Sequence, residues 1–150
     1  MLSRIECSVV VPVSLEVAFQ AYCDLDRLLD RARYRNAAWT HGAPWHVGSR
    51  FRYETTSPIK TTISAVVISV DPPRSVDVLN HSLGITVEQY TTFEPVPLGD
   101  VRVRMTMDFV GVSPMLLPTT VKQMIGVFAQ DALDAIATRC RQVRAASSGA

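Results

Sequence analysis

Hydrophobic and polar residues alternate along Val101 to Val110 with a period of two. Val101, Val103, Met105, Met107 and Phe109 fall on one side, and Arg102, Arg104, Thr106 and Asp108 on the other. Such alternation marks a strand with one covered and one wet face, as in an antiparallel sheet. The same reading predicts strands at Arg4 to Val11, Asn36 to Thr40, Ser49 to Thr56, Thr61 to Val70, Ser75 to Asn80 and Ile85 to Glu94. Ser57-Pro58, Asp71-Pro72-Pro73, Ser82 to Gly84 and Pro95 to Asp100 separate the later strands with turn residues, and links this short pair neighbours antiparallel.

Two other stretches carry helical spacing. Ser14 is placed to cap a helix in which Leu15, Ala18, Phe19 and Tyr22 share a face. Asp24 ends that run and can cap a second short helix carrying Leu25, Leu28, Leu29 and Ala32. From Thr119 to Arg144 a 3.6-residue period gathers Val121, Met124, Ile125, Phe128, Ala132, Ala135 and Ile136 on one face. The expected architecture is α+β: two short helices after strand one, then a curved antiparallel sheet of six to seven strands wrapped around one long C-terminal helix. It forms a single domain over residues 1–145, with 146–150 a disordered tail. A single helix gripped by so large a sheet often leaves a void between them.

Composition narrows the partners. With 47% hydrophobic and 19% charged residues and a net charge of +1, the chain has no general drive towards nucleic acid or anionic membrane. Arg27, Arg31, Arg33 and Arg35 cluster, but Asp26 and Asp30 dilute them into a solvated helix face. No apolar run approaches the ~20 residues of a membrane span, so stable membrane insertion is not expected. The N-terminus does not resemble a signal peptide, and Cys7, Cys23 and Cys140 suggest neither a disulfide framework nor a zinc site; a cytoplasmic location is expected. Dinucleotide, P-loop and GxSxG motifs are absent, and no metal or organic cofactor is implied.

The stretches VPVSLEVAFQAYCDLD, PWHVGSRFRYE and VISVDPPRSV resemble the SRPBCC superfamily, which includes START domains, the birch-pollen allergen group and the polyketide cyclase/dehydrase family. The resemblance covers nearly the whole chain. It implies a helix-grip fold with a deep cavity between sheet and C-terminal helix that binds hydrophobic ligands and sometimes catalyses reactions on them. A pocket of about 300 to 1,000 Å³ is the range for such sites.

Strand parity then names the wall. If Met105 and Met107 face the helix, so do Phe51, Tyr53 and Thr55, Val76, Val78 and Asn80, and Ile85, Val87, Gln89, Thr91 and Phe93. Asp77, His81 and nearly all other sheet charges point out; Thr61 to Val70 is apolar on both faces, so its parity is open. The expected ligand-binding set is Phe51, Tyr53, Val78, Asn80, Gln89, Thr91, Phe93, Met105, Met107, Met124 and Phe128, with Tyr53, Gln89, Met107 and Phe128 touching the pocket itself. Met105 and Met107 suit a core as well as an adaptable pocket, and Asn80 and Gln89 need an internal partner, a water or a ligand.

Tyr53 and Asp131 are the candidate catalytic residues: an inward phenol, and a carboxylate at the edge of the helix's apolar face. His41 and His46 lie with Trp39 and Trp45 in the region where the cavity mouth is expected, and read as surface histidines rather than metal ligands. The leading expectation is binding of a small hydrophobic or amphipathic molecule, with a homodimer as a possible assembly. A cyclase or dehydratase would use Tyr53, Gln89 and Asp131 on a carbonyl-bearing substrate. A protein-interaction module would use an exposed patch of Trp39, Trp45, Met115, Leu116 and Leu117.

Overall fold

The computed structural model describes residues 4–24, 33–57, 59–111 and 114–148. Among them lie strands β1 (Arg4–Val11), β2 (Tyr34–His41), β3 (Arg50–Thr55), β4 (Thr61–Asp71), β5 (Ser75–Ser82), β6 (Ile85–Pro95) and β7 (Val101–Val110), with helices α1 (Leu15–Cys23) and α2 (Thr119–Ser148). The strands form one antiparallel sheet in the order β1-β7-β6-β5-β4-β3-β2. Links of a few residues join β3 through β7 in sequence, and β1 closes the far edge against β7. The fold class is the α+β helix-grip arrangement expected from the sequence.

The alternation in β7 is what the fold uses. Met105 pairs with Cys7 and Thr91, Met107 with Ile5 and Gln89, and both methionines are almost fully buried beneath α2. Their alternates join an outer ionic layer, in which Asp108 holds Arg4 at 3.0 Å and Arg104 lies between Glu6 and Glu94. The open parity of β4 resolves with Ile63, Ala65 and Val67 inside, and a bulge between Val67 and Ser69 then shifts the register. Ile68, left 39% exposed, could not be told from its inward neighbours by hydrophobicity.

Ser14 caps α1 as expected, its hydroxyl accepting from the Val17 N–H at 3.3 Å, and Asp24 ends the helix. The second short helix expected after Asp24 lies outside the described residues. Strand β2 begins earlier than the sequence indicated, at Tyr34, and tolerates a left-handed Asn36 (φ 57°) at a register break. At the other end α2 continues to Ser148, past Arg144 and into the stretch expected to be disordered. Arg144 ties it to β1 by donating to the Pro12 carbonyl at 3.1 Å.

Candidate functional site

Along its length α2 changes character. From Ala129 onward it buries Ala129, Ala132, Ala137 and Cys140 beside Leu133 and Ile136, and the small residues let α1 pack close with Ala18 and Ala21. The stretch before it, up to Phe128, buries Met124, Ile125 and Phe128, and there the sheet stands off. A cavity of about 50 Å³ lies in the gap. Tyr34, Tyr53, Thr55, Ile63, Asn80, Ile85, Val87 and Met107 form the sheet side; Val121, Met124, Ile125 and Phe128 form the helix side; Ser57, His81 and Ser82 stand at its edge. The volume is well below the expected ~300 Å³ lower bound for ligand sites, because large side chains fill most of the concavity.

Three rings make the wall nearest the helix. Tyr53 stacks on Phe128 with centroids 5.5 Å apart, and Tyr34 meets both edge-on. The Tyr34 hydroxyl donates to Asp131 Oδ2 at 2.9 Å, and Arg33 Nη1 donates to the same carboxylate at 2.8 and 3.0 Å. Burial raises the Tyr53 phenol well above its ordinary value, with a smaller push from Tyr34. It therefore stays protonated at any ordinary pH and is a hydrogen-bond donor rather than a base.

The expected residues divide into two groups. Tyr53, Asn80, Met107, Met124 and Phe128 line the cavity. Phe51, Val78, Thr91, Phe93 and Met105 face the same side of the sheet but are packed core beyond it, and Gln89 is buried behind Asn80. Parity identifies the inner face; it does not say where along that face the packing fails. Asp131 does not touch the cavity, which it reaches through Tyr34. Tyr34 itself was missed, since the run RARYR reads as the end of a helix. Ile63 was hidden by the two-sided apolarity of β4, and Ser57, His81 and Ser82 lie at strand ends, where alternation carries little information.

The expected mouth is sealed. Trp45, in a left-handed backbone conformation (φ 60°), donates its indole N–H to the Cys23 carbonyl at 2.7 Å. Its ring packs against Trp39, Tyr22 and Phe51, with centroids 5.1, 5.2 and 5.7 Å away. His41 and His46 are exposed at this end. The interaction patch is not assembled either: Met115 and Leu116 are 69% and 80% exposed, but Leu117 is buried and the two tryptophans are half-buried in the ring cluster. Among the described residues no cluster of three or more His, Cys, Asp or Glu side chains is placed to hold a metal ion, and no helix is long and apolar enough to cross a membrane.

No protein-family model and no curated protein matches the sequence. Solved structures do match its fold. Ara h 8.0201 is 19% identical, with a TM-score of 0.72 over 93% of this chain and 97% of that one. The Zhui aromatase/cyclase from Streptomyces sp. R1128 is 14% identical, with a TM-score of 0.78 over 95% and 96%. The major latex-like protein 151 from Panax ginseng is 11% identical, with a TM-score of 0.71 over 90% and 95%. At these identities the likeness is one of architecture, and it agrees with the fold that the resemblance read from the sequence implies: the chain has the helix-grip fold.

Proposed function

We propose that the protein binds a small, mainly apolar molecule in the cavity between β3–β6 and the first half of α2. The observation that carries this is the change in packing along α2: a close-packed stretch from Ala129 onward, and before it a gap lined by aromatic and aliphatic side chains with few polar groups. That combination is the usual make-up of a small-molecule site. At about 50 Å³ the resting space is smaller than one aromatic ring, so a ring-sized ligand requires Met107 and Met124 to swing aside, and thioether side chains do so readily. Native mass spectrometry of freshly purified protein tests the reading. A co-purifying small molecule, displaced by Met107→Trp, supports it; retention of that molecule by the variant contradicts it.

A second reading is favoured by one feature, the Tyr34–Asp131–Arg33 chain. A carboxylate fixed by a guanidinium and joined to a wall phenol is more than a passive pocket needs. In a cyclase- or dehydratase-like reaction Tyr53 would donate a hydrogen bond to a substrate carbonyl, and Tyr34 would pass a proton to or from Asp131. Gln89, hidden behind Asn80, has no direct part. The fold shared with an aromatase/cyclase supports testing carbonyl-bearing aromatic substrates. Turnover that falls by ~100-fold in Tyr34→Phe or Asp131→Asn while ligand affinity holds would establish this reading; turnover unchanged in both would remove it.

A further inference from the structure

We infer that Asn80 is a specificity-determining residue that reads a hydrogen-bond donor, a hydroxyl or N–H, on an otherwise apolar ligand, and that Gln89 is the positioning residue that aims it. The inference rests on the ligand-binding reading of the cavity and adds the chemistry of the ligand's polar end. Asn80 and Gln89 are diagonal neighbours on the inner faces of β5 and β6, since Asn80 pairs with Val87 and Val78 with Gln89. Asn80 Nδ2 donates to Gln89 Oε1 at 3.3 Å, and Gln89 Nε2 donates to the Tyr22 hydroxyl at 3.3 Å. Thr91 neighbours that hydroxyl in turn. Each amide thus turns its donor into the core. Asn80 itself lines the cavity, and its Oδ1 has lone pairs that no other side chain among the described residues engages.

The Tyr53 phenol also borders the cavity and stays protonated, a donor where Asn80 Oδ1 is an acceptor; the other hydroxyls on the wall are occupied. The Thr55 hydroxyl donates to the Ile59 carbonyl at 2.6 Å, Ser82 pairs with Thr61 at 2.9 Å, and the Tyr34 proton goes to Asp131. Asn80 is surrounded by Ile63, Ile85, Val87 and Met107, so a ligand bound there is largely stripped of water and a misplaced polar group has no substitute partner. Nothing in the Asn80–Gln89–Tyr22 chain is charged. The ligand end it reads is therefore neutral, and a carboxylate is disfavoured.

The test compares p-cresol with p-xylene, near-isosteric rings with and without a donor, by titration of the wild type and variants. The readout is the ratio of the two affinities, which cancels general changes in the cavity. Asn80→Leu is expected to lower the p-cresol preference by about 5-fold, the equivalent of one neutral hydrogen bond. Gln89→Leu is expected to lower it by about 2-fold with p-xylene affinity unchanged, since Asn80 remains but turns freely. A merely structural Gln89 would weaken both compounds alike. Because Gln89→Leu strands the Tyr22 hydroxyl, the double variant Gln89→Leu/Tyr22→Phe is measured beside it. An unchanged ratio in Asn80→Leu, with both compounds still bound, overturns the assignment and leaves the cavity reading standing. Failure of p-cresol to bind the wild type overturns that reading and the assignment with it.

Discussion

The two ends of the molecule share one sheet and one helix, yet between sheet and helix one end is filled and the other hollow. At the closed end Phe19, Tyr22, Trp45 and Phe93 meet at centroid distances between 5.2 and 5.9 Å, and the polar tip of Trp45 has a backbone partner. At the open end Tyr34, Tyr53 and Phe128 are as closely arranged, at 5.5 to 6.1 Å, but they border a gap. The difference comes from what lies opposite. Small α2 residues let α1 come close at the closed end, while at the open end no described element beyond α2 covers the sheet. Aromatic content is therefore a poor guide to a site; unmatched partners across the interface are a better one.

Truncations should separate the ends. Phe93→Ala, in the closed cluster, is expected to lower stability by ~3–5 kcal/mol, whereas half-buried Ile85→Ala at the open end costs ~1–2 kcal/mol, both read from urea unfolding. Equal losses would erase the distinction. Next in size, Met107→Trp fills the gap and should abolish p-xylene binding while the unfolding transition stays cooperative. Asp131→Asn removes the charged acceptor of Arg33 and Tyr34 and should cost ~1–2 kcal/mol, with p-xylene affinity unchanged, since the carboxylate lies behind the wall.

The smallest effect lies on the outer face, away from both ends. Burial, and then Glu88 beside it, push the Asp77 carboxyl up to about 7. A carboxyl held higher in the folded state than in the unfolded one favours the fold at low pH, and that contribution fades as pH rises from about 4 to about 7. Asp77→Asn should flatten this slope by ~1 kcal/mol or less, since the site is partly exposed and screened. Urea midpoints at pH 5 and pH 8 provide the check; an unchanged slope would place the proton elsewhere.

Most of the fold was legible because alternation and turn residues agree with each other. Val101–Val110 coincides with its expected strand, the Ser14 cap falls where capping chemistry put it, and α2 starts at Thr119 as its periodicity indicated. The site was legible only as a face. Tyr53 and Met107 were named, but so were Met105 and Phe93, which obey the same parity in a region that is filled. Tyr34 was hidden because a strand of mixed Arg, Tyr and Asn has no clean period, and its irregular pairing with β3 shows why. The distinction between core and cavity depends on the size of residues far apart in sequence, and local periodicity does not contain it.

The most direct measurement is methyl NMR of the protein labelled at its methionines during titration with p-xylene. Met107 and Met124 line the gap, Met105 lies two residues along the same strand face in solid core, and Met115 is exposed on the surface. Saturable shifts of the Met107 and Met124 methyls, with Met105 and Met115 nearly still, are the expected result. Shifts confined to Met115, or none that saturate, would contradict a ligand site between the sheet and the first half of α2.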